Sequence, residues 1–443
     1  MKEGLVYFKD TLAGKITESK DGDFEFRYIS EYLENNESSP LSYSLPLQDT
    51  PFSSQYLNGF FDGLLPEGWI LNLATEHWKF HPIRDRFKLL LKSCYDPIGA
   101  VSIREPDQES NISPRATTPN IVKARNIQNP GKCLYCYEEL RGGEFHERCS
   151  KEFFKTTTPP TIQLSEEVIK ELSHLNIESG LTIPGVQKKI SLCSNKDKKT
   201  KRLTLTHLSG NFILKPKGSI PHIAQNEDLI LKLSRDYGLP TAESTLIYLD
   251  NNDLALLIKR FDRNEDNSKI HMEDFCQIFD QVTDRKYTGS YQKVAKTLRN
   301  YCSQNAPAEQ VLKLFELIIF SFIVGNSDLH LKNISVLHND GPSLSPAYDL
   351  LSFEIFQEDF KEYDNEQMAL SINGKKNKLK KEDFDILAKN LEIKDKVRDY
   401  IYKKFSLKTK SWENIITKSF LDEKKKNNLK TLIKKRIELL IKK

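Results

Sequence analysis

Between Leu312 and Val324 the chain is apolar on nearly every side, through Leu312, Leu314, Phe315, Leu317, Ile318, Ile319, Phe320, Phe322, Ile323 and Val324. A helix of that composition has to be surrounded by other elements, because any face left in water would expose large apolar area. The run stops at Gly325-Asn326-Ser327-Asp328-Leu329-His330-Leu331-Lys332-Asn333, after which Ile334, Ser335, Val336 and Leu337 read as a short strand. A polar loop is therefore expected between two buried elements, presented by a rigid core.

Asp328 and Asn333 stand in an Asp-x4-Asn spacing, and Pro346-Ala347-Tyr348-Asp349 follows. Turns favour Asp and Asn for their own hydrogen-bonding reasons, so the spacing alone is a weak signal. With a second Asp downstream it matches what phosphoryl transfer requires. One carboxylate orients the attacking hydroxyl and takes its proton; an amide oxygen and another carboxylate hold magnesium against a triphosphate. Asp328 is the candidate base, and Asn333 and Asp349 are the candidate metal ligands.

At 443 residues, with 38% apolar and 29% charged side chains, the chain is expected to form two or three globular domains. A net charge of +4 does not argue for nucleic-acid binding. No apolar run is long enough to span a bilayer and the first residues lack a signal-peptide core, so a cytoplasmic protein is expected. Residues 1–105 read as a compact α/β unit, with strands at Leu5–Phe8 and Phe24–Ile29 and a helical stretch from Tyr56 to His77. Residues 106–130 carry four prolines and read as a linker. Residues 161–265 read as a small lobe of strands around one helix, Gln225–Tyr237, closing at Gly238. Residues 266–443 read as a largely helical catalytic lobe, a two-lobed α+β arrangement.

In the small lobe Lys215 ends the strand Phe212-Ile213-Leu214, where a lysine neutralises nucleotide phosphates in kinases, and Glu227 on the next helix is its candidate ion-pair partner. Upstream, Ser179-Gly180-Leu181-Thr182-Ile183-Pro184-Gly185-Val186-Gln187-Lys188-Lys189 fits a phosphate-covering loop, with Gly180 and Gly185 allowing close backbone approach, although two glycines alone fit an ordinary turn as well. Lys259-Arg260-Phe261 ends the last small-lobe strand, where backbone groups would read an adenine ring.

The linker runs into Cys133-Leu134-Tyr135-Cys136, and nine residues further on His146-Glu147-Arg148-Cys149 follows, with Gly142-Gly143 as a turn between. Two such pairs can complete a tetrahedral Cys3His zinc site, here within residues 131–155. All four positions would be filled by protein, which makes the site structural. The odd count of seven scattered cysteines argues against a disulfide framework.

Taken together, Phe60–Trp69 with Asp96–Val101, Thr182–Lys189, Lys259–Arg263 with Glu273–Gln277, and the catalytic loop with Tyr348-Asp349 resemble the HipA family of bacterial serine/threonine kinase toxins. The resemblance implies a two-lobed protein-kinase-like fold, with ATP and Mg2+ as cofactors. It implies phosphorylation of an aminoacyl-tRNA synthetase that arrests translation. It also implies restraint by a HipB-like helix-turn-helix antitoxin, with DNA contacted only through that partner. By position, Asp328 would be the catalytic Asp and His330 would organise its loop. Lys215 would be the ATP lysine, and Thr182 would stand at the autophosphorylated position, normally a serine. The resemblance does not cover the Cys/His segment. Two rivals remain open: a small-molecule kinase of the aminoglycoside or phosphoinositide type, and an inactive scaffold acting with a DNA-binding partner. Finally, Leu429, Leu432, Ile433, Ile437, Leu440 and Ile441 place an apolar stripe on a basic C-terminal helix whose charges are expected on its wet face, available to nucleic-acid phosphates.

Overall fold

A computed structural model describes residues 2–106, 131–157, 187–194, 203–204, 210–218, 220–359 and 366–442, together with 159, 165, 168–170, 173–174 and 177. The first unit is a sheet of β1 (Lys2–Phe8), β2 (Thr11–Glu18), β3 (Phe24–Tyr28), β4 (Phe52–Ser54) and β5 (Val101–Arg104) in the order β4-β3-β2-β1-β5. Every pairing is antiparallel. The sequence pattern exposes β1 and β3 but hides β2, where the adjacent residues Ala13 and Gly14 are both buried and the register against β1 shifts between Val6 and Tyr7. The helical stretch expected from Tyr56 to His77 is two helices, Gly59–Asp62 and Gly68–Trp78. Pro66 separates them, because it lacks an N–H and pushes Leu65 away from helical geometry. Phe26, Phe60, Phe61, Phe87, Leu89 and Leu90 form this unit's own core.

The small lobe is a sheet of β6 (Ile190–Ser194), β7 (Leu203–Thr204), β8 (Phe212–Lys215), β9 (Ser244–Tyr248) and β10 (Leu254–Lys259), ordered β7-β6-β8-β10-β9. The helix Ile223–Tyr237 packs against it and ends at Gly238. In the catalytic lobe, β11 (His271–Asp274), β12 (Ser335–His338) and β13 (Pro342–Leu344) make a third sheet, of which the sequence pattern showed only β12.

The apolar run forms the helix Pro307–Val324 at the centre of this lobe. Phe322 lies 4.6 Å from Phe384, and Phe320 meets the edge of Trp412 at 5.7 Å. The helix must stop at Gly325, which takes φ +74 and has Leu432 Cδ2 only 2.7 Å from where a Cβ would stand. The polar loop therefore leaves the core at a position that no side chain can occupy comfortably.

The C-terminal helix Glu423–Ile441 buries Leu429, Leu432, Ile433, Ile437 and Leu440, whereas Ile441 is exposed at the frayed end. Its charges are not all on a wet face. Arg436 is buried and donates to the Phe322 carbonyl at the end of the central helix and to Glu354, and Lys426 is buried against Glu423. Among the described residues no helix is long and apolar enough to cross a membrane.

The first unit is clamped onto the lobes by polar contacts. Asp62 accepts from Arg86 and from the Thr283 amide at 2.7 Å, and Asp280 accepts from the Gly59 amide at 2.6 Å. Arg263 reaches Asp96 at 3.4 Å, and Ser42 donates to Glu273 at 2.5 Å. Gly99 holds φ +80, and a Cβ there would lie 2.7 Å from the Met272 carbonyl oxygen. Gly99→Ala is expected to lower stability by at least ~2 kcal/mol through left-handed strain and this clash, read as a lower midpoint in urea unfolding.

Candidate active site

A cleft of about 920 Å3 is lined by Lys215, Lys259, Phe261, Asp328, His330, Asn333 and Asp349. These sequence-expected residues come from the small-lobe sheet, the strand end after β10, and the two loops that follow the central helix. Thr182 and Gly185 lie outside the described residues. The Cys/His set lies apart from the cleft lining.

Lys215 is buried at the end of β8, and its Nζ donates to Glu227 Oε1 at 2.5 Å and to Asp349 Oδ1. Lys189 Nζ meets the other oxygen of Asp349 at 3.1 Å. Two lysines and two carboxylates thus form a charge-balanced buried quartet. Burial opposes the charge on Lys215, but Asp349 and Glu227 outweigh it and hold the ammonium above its usual range. For Asp349, burial is outweighed by Lys189 and Lys215, which hold its carboxyl well below the carboxylate range. Burial pushes Glu227 up to about 7 against the pull of Lys215, so Asp349 carries the firmer negative charge.

Asp349 itself holds φ +52, a left-handed conformation that Asp tolerates better than most residues. The flanking chain fixes it there. The Ala347 amide donates to the Pro240 carbonyl at 2.8 Å, and the Tyr348 hydroxyl donates to the Lys332 carbonyl at 2.8 Å. The latter bond ties the metal-ligand candidate to the catalytic loop.

In that loop the Asn333 amide nitrogen donates to the Asp328 carbonyl at 2.8 Å, leaving the Asn333 side-chain oxygen available to a cation. Asp328 Oδ1 accepts from the Tyr287 hydroxyl at 2.7 Å. Burial in the cleft pushes the Asp328 carboxyl up to about 6, and the Tyr287 hydrogen bond resists that rise. His330 Nε2 stands 3.8 Å from Asp328 Oδ1. Burial, reinforced by Lys286, drives His330 down to about 3, so it is a neutral packing element of the loop at physiological pH.

Several cleft residues were not singled out in the sequence. Lys332, inside the motif itself, meets Glu67 at 3.2 Å and Asp274 at 3.3 Å, and Lys286 meets Glu67 at 3.6 Å. Lys332 had a signal, being part of the Asp-x4-Asn segment. Glu67 lay within the quoted segment Phe60–Trp69 without a role of its own, and Tyr287 had no motif; only folding brings the first unit and the 280s loop to the cleft. At the strand end, the Lys259 and Arg260 amides are taken by the Glu243 and Asn211 carbonyls at 2.9 and 2.8 Å, and Lys259 Nζ lies 3.5 Å from Glu243. Phe261 packs 5.7 Å from Tyr348.

The ligand atoms of Cys133, Cys136, His146 and Cys149 all lie within 4.8 Å of one another. His146 Nδ1 is 3.4 Å from Cys136 Sγ and 3.8 Å from Cys149 Sγ, separations that suit donors around a single tetrahedral ion.

Comparison with known proteins matches residues 4–104 to the HipA N-terminal domain family and residues 181–417 to the HipA-like C-terminal domain family. The chain belongs to the HipA family. Across 365 residues this HipA-family chain is 28% identical to Y4mE of Sinorhizobium fredii, a protein that carries a kinase name, covering 78% of this chain and 76% of Y4mE. Over 127 residues it is 25% identical to Toxin YjjJ of Escherichia coli, covering 28% of each. Its fold matches HipA of Shewanella oneidensis MR-1, solved with HipB and operator DNA, at a TM-score of 0.68 and 19% identity, covering 98% of this chain and 96% of that one. The fold is thus the α+β, kinase-like fold of HipA. The Cys/His segment falls between the two family matches.

The Asp328 carboxyl is expected to titrate near pH 6. Tyr287→Phe removes a hydrogen bond that favours the ionised form, so the midpoint should move to higher pH. Carbon-13 NMR of aspartate-labelled protein checks both, with Asp328→Asn identifying the resonance.

Proposed function

We propose that this protein is the kinase toxin of a toxin–antitoxin pair. It transfers the γ-phosphoryl group of ATP, with Mg2+, to a serine or threonine of a protein target, with an aminoacyl-tRNA synthetase as the expected class. The observation that carries this reading is the convergence of the buried Lys215–Glu227 pair with Asp328, Asn333 and Asp349 in one cleft. The cleft volume, about 920 Å3, accommodates a nucleotide with room for part of a protein substrate.

Each residue has a task that its surroundings suit. Asp328 accepts the proton of the incoming hydroxyl; with a pKa of about 6 it is ionised at neutral pH yet remains more basic than an ordinary aspartate. Tyr287 holds one Asp328 oxygen in place, and Asn333 holds the loop backbone behind it. The Asn333 oxygen and the Asp349 carboxylate are the donors for magnesium, a hard cation that takes oxygen ligands. Held there, magnesium would supply positive charge to offset that of the transferring phosphate. Lys215 and Lys189 supply cations to the same place, and Glu227 is a second carboxylate partner of Lys215.

The family relationship supports the biological reading. HipA of Shewanella oneidensis was solved with HipB and operator DNA, and YjjJ is named a toxin. By extension this protein works in the cytoplasm, is restrained by a HipB-like helix-turn-helix antitoxin, and meets DNA only through it. Thr182 is the proposed autophosphorylation site. A phosphate there would add about two negative charges, and self-inactivation is the proposed consequence.

Labelled ATP with magnesium, added to a bacterial lysate with wild-type protein, should transfer label to a synthetase and to Thr182. Asp328→Ala should reduce transfer about 100-fold or more and abolish toxicity in cells. Undiminished transfer by Asp328→Ala would overturn the assignment of roles. Label found only on a metabolite would select a small-molecule kinase, and no label at all would select a scaffold.

A further inference from the structure

The Cys/His segment lies outside the cleft, yet it touches both elements that carry the Lys215–Glu227 pair. Tyr137, held at φ +66 within the segment and buried, donates its hydroxyl to Asp228 Oδ2 at 2.6 Å. Asp228 is the immediate neighbour of Glu227 and is itself buried, accepting also from Lys232 at 2.6 Å and Ser244 at 2.7 Å. Phe153, on the helix Glu147–Phe154 that begins one residue after His146, lies 5.7 Å from Phe212, the first residue of β8. Lys215 is the last residue of the same strand.

A third set of contacts reaches the catalytic lobe. Lys132 Nζ donates to the carbonyls of Lys418 and Ser419, at 2.8 and 2.7 Å, where the helix Asp395–Lys418 ends. Such a cation also complements the negative end of that helix. Lys418 returns an ion pair to Glu138 at 2.7 Å. The segment thus spans helix, strand and catalytic lobe.

The segment cannot hold this shape by its own core. Of its buried apolar residues, Leu134 and Tyr137 join the main core and Phe153 joins the small-lobe core, so a segment of roughly 25 residues has only this docking and any cross-link or metal to hold its shape. The four clustered donors supply the means. We propose that Cys133, Cys136, His146 and Cys149 hold a zinc ion, and that the closed knuckle is a metal-dependent brace fixing the Glu227 helix and β8 against the catalytic lobe. The brace concerns the position of a helix; only its effect on phosphoryl transfer rests on the kinase reading above.

Zinc content by plasma mass spectrometry and amide hydrogen exchange test the two halves on full-length wild type, Tyr137→Phe and the double variant Cys136→Ser/Cys149→Ser. Wild type and Tyr137→Phe should carry zinc and the double variant none. In both variants residues 223–237 should exchange about tenfold faster, with the helix Pro307–Val324 still protected. Wild type that takes up no zinc, even when zinc is supplied, overturns the metal assignment. Unchanged exchange at residues 223–237 in Tyr137→Phe overturns the brace, and this variant decides the matter even where the double variant fails to fold. Zinc in wild type together with the exchange response in the variants, but no phosphate transfer by wild type, would refute the kinase reading while upholding the brace.

Discussion

The buried contact of Lys215 with Glu227 and Asp349 is the interaction around which the lobes are arranged. Taking an ammonium out of water costs several kcal/mol unless carboxylates and hydrogen bonds replace its hydration. Here β8 supplies the lysine, the helix Ile223–Tyr237 supplies one carboxylate, and the loop after β13 supplies the other. The three elements must therefore be in register at the same time. Lys189 balances the remaining negative charge. Asp349, the proposed metal ligand, is thus met by a lysine on each of its two carboxylate oxygens.

A second cluster of two lysines and two carboxylates lines the same cleft. Lys332 and Lys286 face Glu67 and Asp274. Glu67 belongs to the first unit, so that unit completes the neutralisation of lysines beside the catalytic loop. The segment from Phe60 to Trp69 thereby reaches a cleft built otherwise from the two lobes. Hydrogen bonds at Gly59 and Asp62 and the close backbone approach at Gly99 hold it there.

The catalytic loop was legible because its signals are local. The all-round apolar run of residues 312–324, the glycine that ends it and the Asp-x4-Asn spacing all lie within a few turns of chain, and the structure places them as a buried helix, a left-handed stop and a polar loop. Strands with clean alternation were equally legible. β2 was not, because adjacent buried residues and a register shift erase the alternation, and β11 and β13 were not, because one buries three adjacent residues and the other half-buries all three, so neither alternates. Arg436 and Lys426 looked like surface charges, since composition does not reveal which cation is met by a carbonyl or carboxylate inside.

The sequence by itself determined the chemistry available: an aspartate and an asparagine at fixed spacing, a lysine ending a strand, and three cysteines with a histidine at zinc-ligand spacing. Those features are fixed by the chain's own geometry over a few residues. Tertiary structure alone decided that Lys215 meets Asp349 across 134 residues, that Glu67 meets Lys332 and that Tyr287 meets Asp328. It also set the Asp328 carboxyl near 6 by burying it. The physical reason is that burial and charge pairing depend on which distant elements pack together, and packing follows from the sum of many weak apolar contacts that no short segment contains.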